Sequence, residues 1–322
     1  MVGNFIAGID IGGTKIAVAI AGARGDLIAR SSFPMDGDRT PGDAVNHALQ
    51  VLEGLAGAHR GRLAGVGIGC AGPLDLERGI LLAPPNLPRS WWEFSLRSFF
   101  ETRLGVPVIL DNDANAAAVG EHLYGAGRGY SDFVYLTIST GIGVGIMAHS
   151  NLVHRLGEGG HVTVQPDGVL CACGARGCIE ALCSGTAIAR RAQEHLLTGR
   201  PSKLREMVTD VKQVTAKTVL DAARAGDELA GAMWRETISF LALGIGSIVT
   251  LLAPQAVILG GGVIAGAGEF LLQPLRDELN RRVRIVRMEQ VQVLQAALGA
   301  DSVLYGALVL GARALLPAAY AD

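Results

Sequence analysis

The sequence predicts an α/β protein of two similar lobes with a ligand cleft between them, on three observations. A strand, a glycine-rich hairpin carrying a threonine and a second strand occur twice, as NFIAGIDIGGTKIAVAI from residue 4 and as DFVYLTISTGIGVGIMA from residue 132. An apolar strand at 106–110 runs directly into DNDANAAAVGE, which puts polar residues where open α/β sheets place their ligands. A chain of 322 residues is long for one core and comfortable for two. The repeated scheme reads as an internal pseudo-repeat.

The first hairpin carries the first candidate site. Residues 4–10 form a short apolar run, a buried strand ending in Asp10. Gly12, Gly13, Thr14 and Lys15 then turn into the strand IAVAI. Because a strand follows, and not a helix, neither a P-loop nor a dinucleotide fingerprint fits. A glycine-lined hairpin still brings backbone N–H groups and the Thr14 hydroxyl against a phosphate, and Asp10 can hold magnesium through water. The same residues fit a plain type I′ or II′ turn. Asp10 and Lys15 beside them favour phosphate. Lys15 is the only lysine before residue 203 in a chain that writes most of its positive charge as arginine. In the second hairpin Thr140 and Gly141 correspond loosely to Thr14 and Gly13, and two such hairpins facing each other would clamp a polyphosphate.

Between the hairpins the pattern gives a strand at 27–32, an amphipathic helix at 41–58 and a buried strand at 64–69 opening into CAGPLD. Pro84, Pro85 and Pro88 stiffen a loop holding Asn86, a possible sugar ligand. Trp91 and Trp92 are expected to seat that loop on the core before a helix at 93–104. Asp111, Asn112 and Asp113 then sit at a strand's C-terminal end. Either aspartate can cap the following helix, but an Asp-Asn-Asp run exceeds what a cap requires. A carboxylate that accepts a hydroxyl proton, next to an amide that orients it, is general-base equipment. Spacing does not choose between Asp111 and Asp113.

The stretch GEGGHVTVQPDGVLCACGARGCIE, residues 157–180, packs His161, Cys171, Cys173 and Cys178 into eighteen residues. One imidazole and three thiolates form the ligand set of a closed, structural, tetrahedral zinc site. A closed site leaves no open position for catalysis, so the metal shapes something else. Beyond it, helices are expected at 184–197, 217–225, 227–252, 270–281 and 303–315, with strands at 256–259 and 291–294. Gly260, Gly261 and Gly262 follow the first of these strands. A triple glycine lets a flat ligand lie on bare backbone, or makes a tight strand-to-helix turn.

Composition excludes several classes. A formal net charge of −2 and pI near 6.4 give no electrostatic case for nucleic acid or an anionic membrane as partner. No uninterrupted apolar run reaches the roughly 18 residues of a spanning helix. The N-terminus has no basic n-region and enters a strand pattern at once. Five cysteines, an odd number with a metal-type cluster, suit a reducing cytoplasm.

Taken in order, DIGGTK at 10–15, GIGCAGPLD at 67–75, DNDANAAAVGE at 111–121, STGIGVG at 139–145, GEGGH at 157–161, CACGARGCIE at 171–180 and LGGGV at 259–263 resemble the ROK family (repressor, open reading frame, kinase). The resemblance covers essentially the whole chain, and CACGARGCIE with its upstream histidine is its most specific part. It implies a two-lobed actin-like ATPase (ribonuclease H-like) fold with a structural zinc site. The first lobe would be 1–115 plus about 300–322, and the second 116–299.

The resemblance also implies ATP-dependent phosphorylation of a sugar, usually at O6, with ATP, Mg2+ and Zn2+ as cofactors. PPNLP and DNDANAAAVGE point to glucose; N-acetylmannosamine, mannose or fructose are alternatives, as is a sugar-sensing protein without catalysis. It selects Asp113 as general base. Gly72, Asn86, Asn112, Glu158, His161 and Glu180 would contact sugar, with His161 bound to zinc through its other nitrogen. Asp10, Gly12, Gly13, Thr14, Lys15, Thr140, Gly141 and Gly143 would hold phosphates and magnesium, and Gly260–Gly262 would lie by the nucleoside. A homodimer is implied too. Few residues precede the first strand, so the helix-turn-helix domain of the family's repressors is not expected. AHSNLVHRL, before GEGGH, is several residues shorter than the family's usual glycine-rich loop there, and GPLD replaces a commoner glycine-rich ending.

Overall fold

A computed structural model describes residues 4–22, 25–35, 40–57, 62–84, 87–153 and 157–315. It divides into two compact units. One comprises the chain up to Gly129, the short piece Leu152–Leu156 and the chain from Ala300 onward; the other comprises Tyr130–Asn151 and Gly157–Gly299.

The first unit is built on strands β1 (Phe5–Ile11), β2 (Lys15–Gly22), β3 (Leu27–Pro34), β4 (Leu63–Cys70) and β7 (Val108–Asn112), with the two-residue strands β5 (Leu74–Asp75) and β6 (Ile80–Leu81) paired separately. Its helices are α1 (Pro41–Gly57), α2 (Leu96–Leu104), α3 (Asp113–Tyr124) and, from the C-terminal part of the chain, α11 (Ser302–Arg313). The main sheet runs β3-β2-β1-β4-β7, antiparallel through the hairpins and parallel from β1 to β7. Every residue of β1 is buried, as expected of a parallel strand covered on both faces.

Glycines let α11 lie directly on this sheet and on α3. A Cβ at Gly67 would stand 2.0 Å from the Ala307 carbonyl oxygen, and one at Gly306 would stand 1.7 Å from that of Ala116. This packing moves the domain boundary. The resemblance implies a first lobe that ends at 115, whereas α3 docks mainly on α11, and also on β4 and β7, and the division falls after Gly129.

The second unit has strands β8 (Phe133–Ile138), β9 (Ile142–Ala148), β10 (Asn151–Leu152), β11 (Ala256–Gly260) and β12 (Gln292–Gln295), in the order β10-β9-β8-β11-β12. Counting the main-sheet strands by chain order, both sheets read third, second, first, fourth, fifth. β8 and β9 are antiparallel; β8, β11 and β12 are parallel, as in the first unit. The expected duplication is present.

Helices α4 (Ile179–Cys183), α5 (Gly185–Leu197), α6 (Leu204–Met207), α7 (Ala216–Arg224), α8 (Glu228–Leu252), α9 (Gly262–Ala267) and α10 (Glu269–Arg282) complete the unit. α8 is long and apolar enough to cross a membrane by length and composition, but half of its most apolar window is buried. Trp234, Leu241 and Ile245 on its inner face join the main hydrophobic cluster, so it serves as a core helix.

Two local expectations change. α2 starts at Leu96, after a 3₁₀ turn at Arg89–Trp91, and not at 93. Trp91 is fully buried, but Trp92 is 42% exposed with the Arg89 guanidinium 5.4 Å over its ring, so only Trp91 seats the loop.

Candidate functional site

In the first unit the hairpin closes where Ile11 pairs with Ile16. The Gly12 N–H donates to the Lys15 carbonyl at 3.0 Å, which leaves Gly13 and Thr14 exposed at the tip. Asp10 lies buried just beneath. Its carboxyl is raised to about 7, first by burial and then by Asp113 and Asp301, against the opposing pull of Lys15. Burial, then Asp113 and Asp10, also push the Cys70 thiol up at the end of β4. Asp10, Asp113 and Asp301 thus share the neighbourhood of Lys15, with Asp301 also paired to Arg30. Such a set fits a divalent cation, because an added positive charge would offset both desolvation and mutual repulsion.

The two aspartates of Asp-Asn-Asp have different surroundings. Asp111 is buried; its Oδ1 accepts the Asn115 Nδ2–H at 2.8 Å and the Asn112 N–H at 2.7 Å, and its charge faces Arg313. Asn112 caps α3 by accepting the Ala114 N–H at 2.8 Å. Asp113 is the first residue of α3, half-buried, with Oδ1 2.8 Å from the same N–H. The positive end of α3 favours a carboxylate there. Asp111 is therefore engaged in packing while Asp113 stays accessible. A Cβ at Gly72 would stand 3.0 Å from the Asn112 amide nitrogen, so a small residue at 72 leaves that amide room. Asn86 lies outside the described residues.

The second unit holds its hairpin differently. Ile138 pairs with Ile142, and the Ser139 N–H donates to the Gly141 carbonyl at 2.9 Å. Thr140 is exposed, while Gly143 is half-buried in β9 opposite Thr137. Beside the hairpin lies a cavity of about 520 Å3. Ser139 and Thr140 form one wall, Gly185 and Thr186 at the start of α5 another, and Ala216, Leu220 and Arg224 of α7 a third. The Arg224 guanidinium is fixed by the Gly266 and Ala267 carbonyls at 3.1 and 2.9 Å and lies over the Phe270 ring.

Of the triple glycine only Gly262 lines this cavity. Gly260 packs on Tyr135, where a Cβ would meet the hydroxyl at 2.4 Å. Gly261, at φ +87°, lies against the Ile138 backbone. These two make the tight strand-to-helix turn. The α5 and α7 walls were not anticipated from the sequence, since small and apolar side chains at helical spacing carry no chemical signature.

His161, Cys171, Cys173 and Cys178 converge as expected, with ligand atoms all within 4.8 Å of one another. The Cys171 Sγ lies 3.5 Å from His161 Nδ1, and Cys173 Sγ lies 3.7 Å from Cys178 Sγ. Bond lengths to zinc near 2.3 Å for sulfur and 2.0–2.1 Å for nitrogen give tetrahedral edges of about 3.6 Å for N–S and about 3.8 Å for S–S. These two edges match those of a zinc site, and the donor set fits zinc in type. Burial and the neighbouring thiols push Cys178 up to about 12, a cost to its thiolate that a bound cation offsets. His161 Nδ1 faces the thiols, and Nε2 lies 3.8 Å from Glu158 Oε2. Glu180 is half-buried, and its Oε2 accepts the Ile142 N–H at 2.8 Å.

Two units with this duplicated sheet and glycine hairpin define the two-lobed actin-like ATPase (ribonuclease H-like) fold. The chain belongs to the ROK family, whose profile matches residues 6–314. It is similar to a glucokinase of Thermotoga maritima, 33% identical over 306 residues that cover 94% of this chain and 95% of that protein. An N-acetylmannosamine kinase of Escherichia coli O127:H6 is 35% identical over 272 residues, covering 82% and 85%. Among solved structures, a ROK family glucokinase from Streptomyces griseus in complex with glucose and AMPPNP superposes with a TM-score of 0.79 at 34% identity, over 95% of this chain and 99% of that one.

Proposed function

We propose that this protein is a hexose kinase that transfers the γ-phosphate of ATP to O6 of glucose. Similarity to glucokinases over nearly the whole chain supports the class, including one solved with glucose and AMPPNP. The observation that carries the mechanism is the contrast between Asp111, engaged in packing, and Asp113, accessible at the N-terminus of α3.

On this reading the sugar hydroxyl gives its proton to the Asp113 carboxylate. Its oxygen bonds to the γ-phosphorus as the bond from that phosphorus to the bridging oxygen breaks, leaving ADP. Asn112 and Gly72 shape the sugar side in the first unit, and Glu158, His161 and Glu180 do so in the second. The N–H groups and hydroxyls of Gly12–Lys15 and of Thr140, Gly141 and Gly143 hold phosphates, and the cavity by Gly262 takes the nucleoside. Magnesium, held near Asp10, supplies charge neutralisation to the phosphates when bound. Zinc on His161, Cys171, Cys173 and Cys178 fixes the imidazole that faces sugar. We place the enzyme in the cytoplasm, as a homodimer; an odd number of cysteines, three of them in a metal-type cluster, supports the reducing compartment.

Coupled ADP release across a panel of hexoses tests the reading. Glucose is expected to give the highest kcat/KM, and turnover with no hexose would overturn it. The 35% identity to an N-acetylmannosamine kinase, together with the short segment before Glu158, favours that sugar as the second candidate.

A further inference from the structure

The segment that carries the metal ligands also grips the second hairpin. Glu180, two residues past Cys178, accepts the Ile142 N–H at 2.8 Å. The Gly185 N–H donates to the Ser139 carbonyl at 2.7 Å, and the Thr186 hydroxyl donates to the Thr140 carbonyl at 2.7 Å. From the other side Gly160, next to His161, lies so close that a Cβ there would stand 2.1 Å from the Ile142 carbonyl oxygen. Each residue from Ser139 to Ile142 except Gly141 is thus touched from outside its own hairpin.

The grips flank the metal ligands in the chain. His161 adjoins Gly160, and only Ile179, the first residue of α4, separates Cys178 from Glu180. Between them the Ile179 N–H donates to the Val162 carbonyl at 2.9 Å, and Thr163 and Cys178 form an isolated bridge. A cation joining His161 to Cys178 would fix the spacing between the two jaws. Ser139, Thr140, Gly185 and Thr186 all line the cavity, so the jaws hold its wall.

We propose that Glu180 and Thr186 are positioning residues that hold the second hairpin in its nucleotide-binding form, and that the metal site controls nucleotide affinity through them. The metal's effect then reaches the phosphate side as well as the sugar side. This rests on the reading of the hairpin and its cavity as the nucleotide site. A hairpin already fixed binds without losing backbone freedom on contact, and releasing it costs affinity.

The test is ADP affinity, by titration calorimetry without sugar, on the full chain with its metal content measured. Thr186→Val and Glu180→Ala are each expected to weaken ADP about tenfold, the cost of reordering on the order of one backbone residue. Glu180→Gln should restore wild-type affinity, because its amide oxygen still accepts the Ile142 N–H. Stripping the metal from wild type should weaken ADP comparably and add little in Glu180→Ala, since the two act on one element. Near-ultraviolet circular dichroism checks that the stripped protein stays folded. Should it unfold, the metal-loaded variants still decide the roles of Glu180 and Thr186.

Folded metal-free protein that binds ADP as tightly as loaded wild type would overturn the metal coupling. Wild-type affinity in both Thr186→Val and Glu180→Ala would overturn the positioning roles. Loaded wild type that binds no ADP would overturn the nucleotide reading itself, and the inference with it.

Discussion

The two units share one sheet order and one hairpin, yet they equip that hairpin in opposite ways. In the first, the strand before the turn ends in buried Asp10, and the sheet is covered closely by α3 and α11. In the second, the residue equivalent to Asp10 is Thr137, and the hairpin is gripped from outside by the segment carrying the metal ligands. Among the described residues α1 is the one helix between β3 and β4, whereas α4 to α8 all lie between β10 and β11. The repeated core supplies backbone N–H groups at a turn. What those groups can do is decided by what the loops add: carboxylates in one unit, a cavity and a metal set in the other.

The largest effects should come from filling glycine contacts. Gly306→Ala would force a Cβ to 1.7 Å of the Ala116 carbonyl oxygen between two backbones that cannot yield separately. A loss of about 3 kcal/mol or more is expected, read as a fall in melting temperature. Gly160→Ala makes a similar clash, at 2.1 Å from Ile142, and should cost comparably. The comparison separates them: Gly160→Ala should also weaken ADP binding in whatever protein remains folded, while Gly306→Ala should act through stability alone. Next in size is Asp113→Asn. Sugar and ADP dissociation constants should stay near wild type while kcat falls by about a hundredfold or more, as for loss of a general base. Near-normal turnover would return the role to another group.

Much of this was legible in the sequence. The strands at 4–10, 64–69 and 256–259 are continuous apolar runs, and such runs declare buried strands whatever surrounds them. The metal set was legible because three thiols and an imidazole within eighteen residues have few other uses. The different surroundings of Asp111 and Asp113 were not legible from spacing, because they depend on Asn115 and Arg313 reaching Asp111 from elsewhere. Gly260 and Gly261 could not be told from ligand-facing glycines, since their role is set by Tyr135 and Ile138 on a neighbouring strand. The grip of Glu180 on Ile142 spans 38 positions and leaves no local pattern. The boundary after Gly129 escaped for a related reason, as α3 owes its place to a helix that starts at Ser302.

A pH effect should belong to the first unit. Asp10 has its folded value at about 7, against an ordinary 3.8. A raised value means that the folded state holds the proton more tightly than the unfolded chain does. Its contribution to stability is therefore full below about pH 4 and is lost as pH rises to about 7. In buffer free of added divalent cations, Asp10→Asn should match wild type near pH 4 and exceed it near pH 7. The difference should be roughly 2–4 kcal/mol, the upper figure being the full shift without relaxation. Magnesium should narrow the gap by stabilising wild type alone. Thr137→Ala, at the matching position of the second unit, should show no such pH trend.

The smallest effect tests the rim of the cavity. Lys217 and Asp221 form an ion pair of 2.6 Å one turn apart on α7, with side chains 82% and 35% exposed. Both line the cavity, beside the more firmly held Arg224. An exposed pair at this spacing contributes only about 0.3–0.5 kcal/mol and is weakened by salt. Asp221→Asn should therefore shift the melting temperature by about 2 °C or less for a chain of this size. Its ADP affinity should change by less than about threefold, since an exposed pair already facing water has little to give a ligand. A tenfold loss of ADP affinity with unchanged stability would assign Asp221 a direct contact with the nucleotide. The contrast between the units would then be sharper, because each would commit a carboxylate to one substrate: Asp113 to the sugar and Asp221 to the nucleoside.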